Sequence, residues 1–197
     1  MPETIETTVF TYNELSESAK NRARDWFYQA GALHHDWFDS VYEDAKAVGA
    51  LMGITIDKIY FTGFASQGDG ACFEGSYEYA KGAVKAIADY APQDETLPRI
   101  AKALQETQRK AFYRLSAKVY HSGHYYHSRC TSIHVFNQSD WAESEIDESI
   151  SESLRDFMDW IYNQLERDHD YLSSQEVVEE TIVANGYTFT ADGARFG

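Results

Sequence analysis

A chain of 197 residues with 43% hydrophobic and 15% aromatic residues carries enough apolar surface for a buried core, which excludes disorder throughout. Its formal net charge of −15 disfavours direct binding to DNA, RNA or anionic lipid, because phosphate contacts need a basic surface. Cys72 and Cys130 are too few for a disulfide framework, no apolar run suits a membrane span, and Met1–Glu6 lacks the pattern of a secretory signal. A cytoplasmic setting with no membrane partner is expected.

The β-branched run Ile5–Tyr12 predicts an opening strand. Asn13 or Ser16 can cap the helix that follows, where Leu15, Ala19, Ala23, Trp26 and Phe27 recur at helical spacing up to about Gly31. A second helix is predicted from His34 to Ala50, with Trp37, Val41, Ala45 and Val48 on one face and Gly49 and Gly53 bracketing its end. In Ile54–Tyr79 two β-prone runs flank Gly68-Asp69-Gly70. This stretch reads as the central hairpin of a sheet, with a structural turn in which one or both glycines take positive φ and Asp69 caps backbone amides.

Helices are predicted over Lys81–Tyr90 and over Pro98–Lys110, the latter opening on its proline. A second hairpin, Tyr113–His121 and Tyr126–Phe136, turns at Ser122-Gly123. From Asp140 to Leu172 no Pro or Gly intervenes, and Ile146, Ile150, Leu154, Phe157, Ile161 and Leu165 form a core-facing stripe. Ser173 or Ser174 caps a last helix, Gln175–Ala184, closed by Asn185-Gly186, and a small hairpin follows from Tyr187. The expected class is α+β, a mostly antiparallel sheet with helices on one face. The expected organisation is an α+β core over 1–139 and an acidic helical extension over 140–197, together one compact unit.

Charge is unevenly spread. Residues 81–139 hold 9 bases against 4 acids, a net of +5, whereas 140–180 hold 14 acids against 2 bases, a net of −12. Within the latter, Glu145, Glu148, Glu152, Asp156 and Asp159 step by 3, 4, 4 and 3 and so share one helix face. One helical turn rises about 5.4 Å, near the spacing of phosphates along a nucleic-acid strand. Glu143, Asp147, Glu166, Asp168 and Asp170 extend the acidic tract. Such a ridge is either a solvated face or a decoy for a phosphate-binding surface.

Chemistry is sparser elsewhere. His121, His124, His127 and Cys130 are weak metal-ligand candidates: imidazole and thiolate suit zinc, yet the spacing matches no zinc finger or ribbon, and strand alternation would send His127 and Cys130 to opposite faces. Ser66–Cys72 lacks the pattern of a phosphate-binding loop, and Cys72 has no basic neighbour in sequence to activate it. His34-His35-Asp36 reads as a solvent-facing group. No cofactor, resident metal or catalytic residue is expected.

The segment Phe64-Ala65-Ser66-Gln67-Gly68-Asp69-Gly70-Ala71-Cys72-Phe73-Glu74-Gly75 resembles the GFxSQGDGAxFEG signature of small, mostly uncharacterised bacteriophage and prophage proteins. Tyr12–Ser16 and Asn185–Gly193 extend the similarity over most of the chain. The resemblance implies a phage origin, and with it the habit of small acidic phage proteins of binding and disabling host enzymes. The leading expectation is therefore a non-enzymatic DNA-mimic inhibitor. Its partner would be a host DNA-handling enzyme, such as gyrase or another topoisomerase, a restriction enzyme or a CRISPR complex. A homodimer is the other partner considered. The alternatives are a metal-dependent or Cys/His enzyme centred on the histidine-rich hairpin, and an antitoxin-like interaction module.

Overall fold

The first helix begins where a side chain can serve its open backbone amides. Ser16 Oγ accepts from the Ala19 N–H at 3.4 Å, and α1 runs over Glu17–Gln29 behind β1 (Phe10–Thr11). Next come α2 (Asp39–Met52), β2 (Ile54–Phe61), β3 (Ala71–Glu78), α3 (Ala83–Tyr90) and α4 (Thr96–Lys110). They are followed by β4 (Leu115–His121), β5 (Thr131–Asn137), α5 (Ser144–Leu172), α6 (Gln175–Ala184), β6 (Thr188–Phe189) and β7 (Arg195–Phe196). The computed structural model describes residues 6–30, 36–137 and 144–197. The protein is α+β, with two antiparallel sheets ordered β1-β6-β7 and β2-β3-β4-β5. No helix among the described residues is long and apolar enough to cross a membrane.

Contacts divide the chain into a larger unit, Phe38–Glu166, and a smaller one, Met1–Trp37 with Arg167–Gly197. This boundary runs elsewhere than the change of composition at 139/140. Val178 and Ile182 of α6 and Phe189 of β6 pack with Tyr12, Leu15, Ala19, Ala23 and Phe27, so both ends of the chain share one core. Arg24 pairs with Glu179 at its border. Of the expected strand Ile5–Tyr12, the described residues are strand only at Phe10–Thr11, and Ile5 lies outside them. Tyr12–Glu14 winds into a 3-10 turn, because Thr11 and Glu14 form a capping box.

In the larger unit the apolar alternation decides which sheet face is covered. Ile54, Ile56, Ile59, Phe73, Tyr77, Ala117 and Val119 are buried, and Phe73 meets Phe157 of α5 edge-on at 6.0 Å. Lys58, Lys118, Tyr120 and His134 stand exposed on the opposite face. The β2–β3 hairpin forms as expected but is not central: β2 is the sheet's edge, and β3 and β4 lie inside. Gly53, at φ 83°, ends α2 and starts β2, while Gly49 is a buried helix residue rather than a terminator. Helix α2 begins at Asp39 and not at His34, because 36–38, with Trp37 among them, form a turn; His34 and His35 lie outside the described residues. Helix α4 begins two residues before Pro98, since Asp94 Oδ1 accepts from the Thr96 and Leu97 N–H groups at 2.8 Å each. Pro98 still falls in the first turn, where a missing N–H has no helical partner to lose.

Candidate functional site

Two places in the larger unit combine chemistry with defined geometry. The first is where the glycine turn docks on the histidine-rich segment. Gly68 has φ +98°, and a Cβ there would lie 2.2 Å from Tyr125 Cδ1; Gly70 does not have positive φ, but its Cβ would lie 2.6 Å from His127 Cα. The two glycines are therefore fixed by different needs, backbone conformation with ring contact in one case and close chain approach in the other. Asp69 Oδ2 accepts from the Ala65 and Ser66 N–H groups at 3.0 and 2.7 Å, the capping role its residue type suggests.

The histidines divide along this segment. His127 Nε2 lies 3.3 Å from Cys130 Sγ, so the two meet instead of pointing to opposite faces. The reason is local: Ser128–Cys130 is a 3-10 turn, not strand, and β5 starts only at Thr131. His121 Nε2 sits 2.9 Å from the Tyr125 carbonyl, and its ring leans on Tyr60 at 4.6 Å. His124 is exposed. Among the described residues no three His, Cys, Asp or Glu side chains converge as a metal site. Cys72 is fully buried, and that burial pushes its thiol up to about 12, leaving it protonated and inert. Glu74 accepts from the Tyr60 hydroxyl at 2.8 Å and from the His121 N–H at 3.3 Å. The tyrosine bond above all, then the backbone bond, holds its carboxyl below the ordinary glutamate range.

The second place is α5. Glu145, Glu148, Asp159 and Glu166 are exposed on the side away from buried Ile150, Leu154, Phe157, Ile161 and Leu165. Two ridge members are already partnered. Glu152 pairs with Arg129 at 3.3 Å and Arg155 at 3.0 Å, and Asp156 pairs with Arg99 at 2.7 Å. Asp147 is half-buried in the first turns, while half-buried Asp168 and exposed Asp170 belong to the smaller unit. Glu143 lies outside the described residues.

A family model, the domain of unknown function DUF8835, matches residues 37–175. The chain belongs to that family. No curated protein and no solved structure matches it.

The DUF8835 match takes in the glycine turn, the histidine-rich segment and all of α5. It also covers a turn at the point where the alternation predicts a strand to begin, at Tyr113. Phe112 and Tyr113 lie between α4 and β4 with φ of 53° and 62°, a region where bulky side chains are outliers. Left-handed backbone costs a non-glycine residue about 1–2 kcal/mol, so neighbouring bonds must hold it. They do: the Tyr113 N–H donates to the Gln108 carbonyl at 2.7 Å. The Gln108 side chain, fully buried, donates to the Leu115 carbonyl (2.8 Å) and the Tyr77 hydroxyl (3.2 Å) and accepts from the Leu115 N–H (3.2 Å). Phe112 is 79% exposed, and Arg109, Lys110 and Arg114 beside it have no ion pair among the described residues. The signal in sequence was an absence: no Gly or Asn follows the predicted Pro98–Lys110 helix to supply a left-handed cap.

Proposed function

We propose that this DUF8835 protein is a phage-encoded, non-enzymatic inhibitor. In this reading its acidic helix occupies the DNA-binding surface of a host DNA-handling enzyme. The observation that supports it is the exposed row Glu145, Glu148, Asp159 and Glu166 on the side of α5 opposite its buried stripe, in a protein of net charge −15. Fixed on a 29-residue helix, these carboxylates offer a rigid negative surface to a basic groove. Glu152 and Asp156 contribute less, since arginines of the same chain already neutralise them. The mechanism is competition, with no bond made or broken.

The test is a titration of a captured host enzyme with wild type and with a Glu145→Gln/Glu148→Gln/Asp159→Gln/Glu166→Gln variant, with and without duplex DNA. Wild-type binding is expected to weaken with salt, to be displaced by duplex, and to fall at least tenfold in the variant. Equal binding by the two proteins, or indifference to duplex, would sink the idea.

The His127–Cys130 contact favours one other reading, thiol-based chemistry at the histidine-rich segment. That reading requires iodoacetamide to alkylate Cys130 faster in wild type than in His127→Ala. Equal rates rule it out.

A further inference from the structure

The acidic ridge has a basic counterpart on the neighbouring helix. Between Arg99 and Lys118 the chain holds six bases and a single acid, Glu106. Helices α4 and α5 lie side by side and antiparallel: Arg99 near the start of α4 bonds Asp156, while Thr107 near its end lies 2.7 Å from Ser149 through the two hydroxyls. Along α4 and the turn after it, Lys102, Arg109, Lys110 and Arg114 are exposed; along α5, Glu145, Glu148 and Asp159 are exposed. A surface that carries a basic strip beside an acidic one is complementary to itself after a half-turn, which lays each strip on its opposite.

At the end of the basic strip stand two aromatic rings. Phe112 is 79% exposed and Tyr113 45%, and the Tyr113 ring rests on Tyr79 at 4.6 Å, which limits its freedom. Both sit on backbone that their residue types disfavour, and Phe112, standing almost clear of the surface, gains little packing in return. Exposed aromatics flanked by arginines have the composition of an interface anchor.

We infer that this face is where a second copy of the chain docks. In the dimer, Arg109, Lys110 and Arg114 of one protomer meet Glu145 and Glu148 of its partner and Lys102 faces Asp159, with Phe112 as the apolar anchor of each half. The general repulsion between two acidic protomers does not forbid this. At 0.15 M salt charges are screened beyond about 8 Å, whereas pairs in contact persist. The inference does not rest on the DNA-mimic reading, and the two compete for Glu145, Glu148 and Asp159: a dimer must dissociate before those carboxylates can enter a foreign groove.

Sedimentation velocity of the full chain at tens of micromolar and about 0.15 M salt tests it. Wild type is expected to sediment as a dimer. Phe112→Gly, which removes the anchor while relieving its backbone, is expected to weaken association at least tenfold with the far-ultraviolet spectrum unchanged. The variants Arg109→Glu/Lys110→Glu/Arg114→Glu and Glu145→Lys/Glu148→Lys/Asp159→Lys are each expected to be monomeric, and their equimolar mixture to form a heterodimer. A monomeric wild type, a dimer indifferent to Phe112→Gly, or two charge-reversed chains that stay apart when mixed would overturn the inference. So would tight binding of a single-stranded oligonucleotide by wild type that the Arg109→Glu/Lys110→Glu/Arg114→Glu variant loses, which would assign the strip to a polyanion.

Discussion

Two turns of the larger unit reverse the chain by opposite means. Gly68-Asp69-Gly70 is made of residues that the backbone wants: a glycine where φ is +98°, an aspartate that bonds two amides of its own loop, and a glycine where another chain segment passes within contact. Phe112-Tyr113 does the reverse, placing two aromatic residues at positive φ and holding them with a buried amide from the preceding helix. The first turn is specified by its own residues. The second is imposed by Gln108, so its residue types answer to something other than local conformation. A turn that suits its residues stabilises the fold, and a turn that strains them presents a surface.

Four substitutions sharpen or break that comparison. The largest effect is expected from Gly70→Val, because the added side chain must displace the His127 backbone, not a flexible side chain. Overpacking of this kind costs about 3 kcal/mol, read as a fall of many degrees in the midpoint of thermal unfolding followed by circular dichroism. An unchanged midpoint would show that the turn does not dock on His127.

Gln108→Ala comes next. It leaves the Leu115 N–H and C=O and the Tyr77 hydroxyl without their buried partner, a loss of about 2–3 kcal/mol by urea unfolding. Gln108→Glu would not rescue it, since a carboxylate cannot donate to the Leu115 carbonyl.

The third effect has the opposite sign. Phe112→Gly should raise stability by about 1 kcal/mol, the left-handed strain relieved less the extra freedom of glycine in the unfolded chain. Destabilisation on the same assay would mean that the exposed ring contributes packing that outweighs its backbone.

The smallest concerns pH. Glu74 has a folded-state pKa below its unfolded value, so its stabilising contribution is present above the unfolded value and is lost as pH falls through the folded one. Between about pH 5 and pH 3, Glu74→Gln is expected to lose slightly less stability than wild type, most visibly as a shallower slope of unfolding midpoint against pH. A parallel slope would show that the Tyr60 and His121 bonds do not favour the charged form.

The two regions also differ in how far they could be read in advance. The stripe from Ile146 to Leu165, the Ser174-capped helix Gln175–Ala184 and the Asp69 cap follow from spacing and side-chain chemistry acting over a few residues, and the structure places them as expected. For His127 and Cys130 alternation predicts opposite faces, but a 3-10 turn that no periodicity marks brings them together. The arginine partners of Glu152 and Asp156 were equally out of reach: Arg99 and Arg129 lie far away in sequence and arrive by packing.

Sequence alone determined the class of this protein, because helix and strand periods, turn glycines and helix caps are local instructions written in neighbouring residues. It also determined the acidic face of α5, since charge at helical spacing needs only the helix to exist. Tertiary structure decided the rest. It brought Tyr12 to Phe189 to join the two ends of the chain in one core, put β2 at an edge and β3 inside, and chose which carboxylates remain unpaired. It also set Phe112 on a strained turn, because a buried glutamine can impose a backbone conformation that no neighbouring residue would choose.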